Sequence, residues 1–349
     1  MDYIALGCMS GTSLDGIDLS LIRSDGETYS EEIMNYFQPY SKDLKSTLHQ
    51  VIQRGYLTDP KIASQLSLEY SRTIQQFIDS NKKYEVNVIG IHGQTLFHDE
   101  KTKISIQLFD KNLNLNTSIP VICNFRKNDL INGGFGAPII PIYHQLIHQK
   151  LNKKNSVFVN IGGVTNITII NQEGIFAGDT SFGNALVNDL IKKKFNFEMD
   201  EDGYISSQGL VNKLIIDFIL RDPFFSRPLP KTLDRNHFHK YLDQLQAMDK
   251  TENIINSLLE IIPLSIRQLI FDTESTIIMC GGGRKNLTLQ KIFSKYFDNI
   301  SLIDNYQIDG DFIESQGMAL LGIRYILKKQ STYYETTKVL KNIYLGEKC

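Results

Sequence analysis

The sequence predicts an α/β protein made of two halves of like construction around a cleft. Three observations predict it. Apolar strand patterns and helical stretches alternate along the whole chain. A strand, glycine turn, strand block occurs twice, about 150 residues apart. The length of 349 residues exceeds one simple core, and no low-complexity linker divides it, so two lobes are expected, not beads on a string.

The elements follow in order. Tyr3 to Met9 is a short apolar strand, Ser10 to Gly16 a Gly/Ser/Thr/Asp turn, and Ile17 to Arg23 an alternating second strand. A helix over Lys61 to Ser80 and a strand over Val86 to His92 follow, then a turn-rich segment around Asn132 to Pro141. The second block comprises the buried-strand pattern Ser156 to Asn160, the breaker Gly162-Gly163 and the β-rich run Asn166 to Asn171. Helices are expected near Asn184 to Phe195, Leu210 to Leu220 and Ile254 to Phe271, and a strand over Ser275 to Cys280 runs into Gly281-Gly282-Gly283. The last helix, Ile313 to Gln330, begins acidic and ends with Lys328-Lys329, the order the helix dipole favours.

Composition excludes several classes. With 42% hydrophobic and 22% charged residues the chain reads as an ordinary soluble globular protein. A formal net charge of −2 lacks the basic surplus that nucleic-acid binding needs. No stretch approaches the roughly 18 apolar residues of a spanning helix, and the N-terminus lacks a signal-peptide pattern, so no membrane association is expected and the expected location is cytoplasmic. Cys8, Cys123, Cys280 and Cys349 show no CxxC spacing, which indicates neither a disulfide framework nor a cysteine zinc site. His144 and His148 lie four apart, but no HExxH accompanies them, so the segment reads as ordinary helix.

Four segments could carry chemistry. In the turn 10–18, Gly11 and Gly16 permit positive φ while Ser10, Thr12 and Ser13 add hydroxyls beside exposed amides. Such a turn is an anion nest for phosphate or, equally, a plain hairpin turn. It is not a Walker A loop, since Ile17-Asp18 stands where Lys-Ser/Thr would be. Asp15 and Asp18 beside a phosphate site make sense only with a divalent cation. Gly178-Asp179-Thr180-Ser181-Phe182-Gly183-Asn184 opens a helix, so Asp179 is either a general base delivered into a cleft or part of a helix cap. Gly281-Gly282-Gly283-Arg284-Lys285-Asn286 leaves room for a flat nucleotide base, with Asn286 offering its amide, or is a bare glycine connection. Gly90-Ile-His-Gly-Gln-Thr95 ends a strand, and Arg126 in Asn124-Phe-Arg126 could grip a carboxylate.

The order of the motifs is more specific than any one of them. Gly-Cys-Met-Ser-Gly-Thr-Ser-Leu-Asp-Gly-Ile-Asp (7–18), Gly-Ile-His-Gly-Gln-Thr (90–95), Asn-Phe-Arg (124–126), Gly-Gly-Phe-Gly-Ala-Pro (133–138), Asn-Ile-Gly-Gly-Val-Thr-Asn-Ile-Thr (160–168), Asp-Thr-Ser-Phe-Gly-Asn (179–184), Lys-Thr-Leu-Asp-Arg-Asn-His-Phe (231–238) and Cys-Gly-Gly-Gly-Arg-Lys-Asn (280–286) occur in that sequence. Together they closely resemble the anhydro-N-acetylmuramic acid kinase family, over nearly the whole chain.

The resemblance implies a two-lobed actin/hexokinase-like ATPase fold with a central cleft. Lobe I would hold residues 1–130 plus the C-terminal helix at about 313–335, and lobe II residues 131–312. It implies ATP and Mg2+ as cofactors, a sugar as substrate, and a homodimer. The reaction implied is hydrolytic opening of 1,6-anhydro-N-acetylmuramic acid with phosphorylation of O6, in recycling of peptidoglycan sugars. Asp179 would activate the water. ATP would contact Gly11, Thr12, Ser13, Leu14, Asp15, Gly16, Ile17 and Asp18 of one hairpin. It would also meet Gly162, Gly163 and Asn166 of the other, and Gly281, Gly282, Gly283 and Asn286. Gln94, Thr95, Arg126 and Glu314 would hold the sugar. Three positions depart from the family pattern: Ser181 and Phe182 stand where a glycine and a proline are usual, and Phe135 where a polar amide is common, so that the two phenylalanines put rings near the expected sugar pocket. A nucleotide-binding regulator of the same fold, its sugar site filled by those rings, is the alternative reading.

Overall fold

The computed structural model describes all residues except 12, 55–59, 109–114, 116 and 271–273. It forms two compact units, Met1–Asn152 with Phe312–Cys349, and Lys153–Asp311. In chain order the first unit holds β1 (Tyr3–Ser10), β2 (Gly16–Ser24), β3 (Ser30–Pro39), α1 (Lys42–Arg54), α2 (Pro60–Ser80) and β4 (Val88–Asp99). It continues through β5 (Ile104–Leu108), β6 (Val121–Cys123), α3 (Phe125–Ile131) and α4 (Pro141–Leu151). The second unit holds β7 (Ser156–Ile161), β8 (Val164–Asn171), β9 (Gly174–Phe182), α5 (Asn184–Phe195), α6 (Tyr204–Ser207) and α7 (Lys213–Leu220). After these come α8 (Leu242–Met248), α9 (Thr251–Arg267), β10 (Thr276–Cys280), α10 (Leu287–Phe293) and β11 (Ile300–Leu302). The chain then returns to the first unit with α11 (Ile313–Ile326), α12 (Tyr334–Thr337) and β12 (Glu347–Lys348).

The two sheets repeat one plan. In the first the order is β12-β6-β4-β1-β2-β3, with β5 added beside β4; in the second it is β11-β10-β7-β8-β9. Each begins as an antiparallel meander of three strands, β1-β2-β3 and β7-β8-β9. The first strand of each meander then pairs in parallel with a later strand, β4 or β10, which pairs in parallel with a fifth, β6 or β11. This duplication explains the strand, turn, strand pattern that recurs in the sequence.

Why these segments become these strands is visible in burial. β1 and β7 sit mid-sheet with both faces covered, so they read as nearly continuous apolar runs, not as alternation. In the first unit, Leu6, Cys8, Leu19, Leu21 and Ile89 pack with Leu48 of α1 and Leu66, Tyr70 and Ile74 of α2. α11 packs against β1, β2 and β4. There Gly7 and Gly90 are register partners on β1 and β4. A Cβ on Gly7 would stand 1.8 Å from the Ser315 carbonyl oxygen, and one on Gly90 2.2 Å from that of Met318. The second core joins Val157, Val159, Ile167, Leu186, Ile255 and Leu289.

Two expectations need correction. Residues 131–152, expected with the second half, fold with the first: α4 packs on α11, and the Phe135 N–H donates to the Thr337 carbonyl (2.7 Å). And Cys123 and Cys349 are joined in a disulfide across 226 residues of sequence, which no spacing rule reveals, because β12 comes to lie antiparallel beside β6 with Glu347 opposite Cys123. The strand has other holds as well. Glu347 accepts from Asn124 (2.6 Å) and Lys127 (2.7 Å), and the Gly346 carbonyl accepts from Asn128 (2.8 Å). Cys8 and Cys280 are buried thiols, and burial pushes Cys280 up to about 12.

His144 of α4 is wholly inside the first unit, and burial pulls its imidazole from 6.5 down to about 3. Its folded value lies below the unfolded one, so the unfolded chain takes up a proton first as pH falls. The stability it contributes is therefore present above pH 6.5 and is lost between 6.5 and 3, at about 1.4 kcal/mol per pH unit. His144→Leu is expected to shift acid unfolding, followed by circular dichroism, to lower pH. A midpoint unmoved or raised would refute it.

Candidate functional site

Each unit carries a set of the candidate residues at its hairpin. In the first unit the turn between β1 and β2 is pinned from below. The hydroxyls of Tyr40 (2.8 Å) and Tyr70 (2.5 Å) both donate to Ser10 Oγ, and the Tyr40 N–H donates to the Asp15 carbonyl (2.9 Å). The residue in the left-handed conformation is Leu14 (φ 57°), with its side chain buried beneath the turn. Gly11 and Gly16 do not take positive φ, contrary to the sequence reading. Gly16 is needed for proximity, since its Cβ would lie 2.3 Å from the Gln38 carbonyl oxygen across the β2–β3 pair. Ser13 Oγ donates to Asp15 Oδ1 (2.8 Å), and both residues are exposed; Ile17 is buried and Asp18 half-buried. Thr12 lies outside the described residues.

Gln94, midway along β4, is buried, and its Nε2 donates to the Gly11 carbonyl (3.0 Å), so β4, which runs on to Asp99 past the expected strand end at Thr95, ties the turn down. Its Oε1 is buried without a partner among the described residues. Thr95 beside it is half-buried. Arg126, in the first turn of α3, donates from Nε to His92 Nε2 (2.9 Å) and from one terminal nitrogen to the Gly136 carbonyl (2.8 Å). With Nε2 accepting, the His92 proton sits on Nδ1 and goes to the Gly93 carbonyl (2.8 Å). Burial, reinforced by the Arg126 charge, holds His92 neutral, down to about 3. Glu314 is half-buried in the first turn of α11.

Three residues of this set escaped the sequence reading as functional positions. His92 orients Arg126. Asp129, wholly buried, accepts from Gly136 N–H (2.7 Å) and Thr337 Oγ1 (2.6 Å) and so shapes the 133–138 loop that receives Arg126. His98 keeps a buried Nε2 with no partner among the described residues, its Nδ1 3.0 Å from Ser105 Oγ. Bulges on β4 near residues 9–10 of β1 and near Leu96 break the alternation that would have told which way these side chains face.

In the second unit, Asp179 is not a helix cap: it lies within β9, and α5 begins after Gly183 with no side-chain cap. Asp179 is the register partner of Asn166 on β8, which is the partner of Asn160 on β7, and Asn160 pairs in turn with Cys280 on β10. Three half-buried polar side chains thus stand in one row, at the carboxyl ends of the parallel strands β7 and β10. That end of an open α/β sheet is where ligands bind. The Gly162 and Gly163 carbonyls there accept the N–H groups of Asn184 (2.8 Å) and Ala185 (3.2 Å), which fixes the turn against α5. A Cβ on Gly281 (φ 72°) would lie 2.3 Å from Asn160 Oδ1, and one on Gly283 2.3 Å from Ile161 Cγ2. The glycine turn therefore rests directly on this row, and Gly282, with nothing within 4 Å of its Cβ position, is open to a ligand.

Two sequence readings change here. Asn286 does not hold its amide out to a base: Oδ1 caps α10 through the Leu289 N–H (2.9 Å), and Nδ2 donates to Asp200 Oδ2 (3.2 Å). The turn is held instead by buried Arg284, which binds Asp304 with Nε (2.7 Å) and one terminal nitrogen (2.8 Å), and reaches the Gly281 carbonyl (3.0 Å) and Asp311 (2.6 Å) with the other. Phe182 does not enter a sugar pocket either. Its ring is buried in the core and meets Phe238 edge-to-face at 5.2 Å. Phe135, half-buried in the first unit, has Lys103 and Lys338 over its ring at 4.5 and 5.4 Å.

A sequence profile of the family described as anhydro-N-acetylmuramic acid kinase matches residues 3–348. The chain is 35% identical over 363 aligned positions to the anhydro-N-acetylmuramic acid kinase of Pelagibacter ubique, covering 97% of this chain and 96% of that one. It is 33% identical over 345 positions to that of Haemophilus influenzae, covering 90% of each. Among solved structures, (R)-2-hydroxyglutaryl-CoA dehydratase component A from Acidaminococcus fermentans aligns over 93% of this chain and 100% of its own, at 10% identity and a TM-score of 0.47.

Proposed function

The chain belongs to the anhydro-N-acetylmuramic acid kinase family, and on that premise we propose how its residues open the anhydro sugar and phosphorylate it from ATP. Asp179 takes a proton from water as the water oxygen bonds to the anomeric carbon. The C1–O6 bond breaks, its electron pair going to O6. O6 then bonds to the γ-phosphorus while the bond to the β–γ bridging oxygen breaks, and that pair leaves with ADP. The proton on Asp179 returns to solvent, so sugar, water and ATP give N-acetylmuramic acid 6-phosphate, ADP and a proton.

The observation that carries this reading is the setting of Asp179: a half-buried carboxylate in a polar row, beside the Gly162-Gly163 hairpin and the 281–283 turn. The turn 11–18 and the turn at Gly162-Gly163 would cradle the phosphates. Gln94, Thr95, Arg126 and Glu314 would hold the sugar, with Arg126 toward its carboxylate. Magnesium suits the donor set: exposed Asp15 and half-buried Asp18 offer the hard carboxylate oxygens that would hold it together with nucleotide phosphates. Bound there it would neutralise phosphate charge during transfer.

No helix among the described residues is long and apolar enough to cross a membrane, and we place the enzyme in the cytoplasm, where ATP is. We also infer a homodimer, for which exposed Leu210 and Leu214 offer apolar surface. The regulator reading loses one of its two motives, because Phe182 packs inward.

The test is product analysis in 18O-labelled water with ATP and 1,6-anhydro-N-acetylmuramic acid. The 6-phosphate of the opened sugar is expected, with the label at the anomeric hydroxyl. Absence of sugar-dependent ADP, or label in the phosphate, would sink the reading.

A further inference from the structure

The motif at 231–238 has as yet no part in the chemistry, although it touches Asp179 twice. The Asp179 N–H donates to the Lys231 carbonyl (2.8 Å), and the Leu233 N–H donates to Asp179 Oδ2 (2.7 Å). β9 is the edge strand of its sheet, so this segment covers the edge at the residue assigned as base. The approach is close: a Cβ on Gly178 would lie 2.9 Å from the Lys231 nitrogen and 3.0 Å from its carbonyl oxygen.

What holds the segment there is Lys231. Its side chain is buried, with Nζ donating to the Phe224 carbonyl (3.0 Å) and lying 4.4 Å above the Phe224 ring. The loop bearing both residues is closed by buried Asp222, which accepts from Phe224 N–H (2.9 Å), His237 (3.0 Å), Lys240 Nζ (2.8 Å) and the Tyr241 hydroxyl (2.8 Å). Phe238 then keys the loop onto Phe182, three residues beyond Asp179 on the same strand.

We propose that residues 231–233 are a positioning brace for the Asp179 carboxylate, anchored by Lys231. The brace fixes Oδ2, and with it the orientation of the carboxylate. A hydrogen bond to the charged form also favours the unprotonated carboxylate a base must present. Burial costs the Lys231 ammonium part of its affinity for a proton, bringing it to about 8, with the Arg227 charge acting the same way and that of Asp179 opposing. The proposal rests on Asp179 being the base.

The experiment replaces Leu233 in the full-length enzyme by its α-hydroxy acid, turning the one N–H into an ester oxygen. We expect kcat to fall ten- to a hundredfold, KM for ATP to stay within twofold, and the acid limb of the kcat/KM profile to move to higher pH. Leu233→Ala, which keeps the N–H, should leave that limb in place. Lys231→Met loosens the brace without touching either hydrogen bond, and should lower kcat at least tenfold with the same shift of the limb. If both altered proteins fold and keep the wild-type kcat and limb while Asp179→Asn is inactive, the brace is refuted and the base stands. Full activity of Asp179→Asn would overturn both.

Discussion

Asp179→Asn should turn over roughly a thousandfold more slowly and bind ATP as the wild type does. The substitution preserves volume, and an amide oxygen can still accept the Leu233 N–H, so the row Asp179, Asn166, Asn160 keeps its geometry. What is lost is the ability to take a proton from water, a contribution of about 10²–10⁴-fold in rate. Calorimetric titration with ATP should give an unchanged affinity, since the hairpin at Gly162-Gly163 is fixed by backbone bonds to α5 that do not involve the carboxylate. Activity within tenfold of wild type would show that another group is the base.

Gly7→Ala should destabilise the first unit by about 3 kcal/mol or more, at the severe end of overpacking. The added methyl would meet backbone on α11, the Ser315 carbonyl oxygen at 1.8 Å and the Ala319 nitrogen at 2.5 Å. No rotamer relieves a clash with backbone. Either the helix lifts from β1, opening the buried Ser20–Ser315 hydroxyl contact (2.6 Å), or the central strand bends. Gly90→Ala should behave alike, its partner being the Met318 carbonyl oxygen at 2.2 Å. Gly282→Ala is the internal control for stability, because its Cβ would meet nothing within 4 Å. Denaturant unfolding compares the three, and a Gly7→Ala midpoint equal to that of Gly282→Ala would contradict the prediction.

How much of this was legible depended on how local the cause was. The first hairpin could be read because β1 is an unbroken apolar run closed by a turn of small polar residues. Its detail could not: Leu14, not a glycine, takes the left-handed conformation, because the core below the turn accepts its side chain. β9 was missed because Gly178 and Asp179 interrupt its alternation, and both answer to a segment some fifty residues later. The fates of Phe182, the Asn286 amide nitrogen and Cys123 were likewise decided by Phe238, Asp200 and Cys349, partners that no spacing links to them. The duplicated sheet was foreseen from a faint repeat of pattern, since topology needs only strand order, whereas the site needs distances.

The second unit is one uninterrupted stretch, Lys153–Asp311, that interrupts the sequence of the first. A ribosome therefore delivers every residue of that insert before the helix that covers Gly7 and Gly90 is synthesised. Until residues 313–326 emerge, the oldest sheet in the nascent chain keeps one face bare, with a groove of glycines waiting for its ridge. The younger half can finish folding first. Completion of the first sheet thus has to wait for the last part of the chain, and its exposed face is the surface on which chaperones would act.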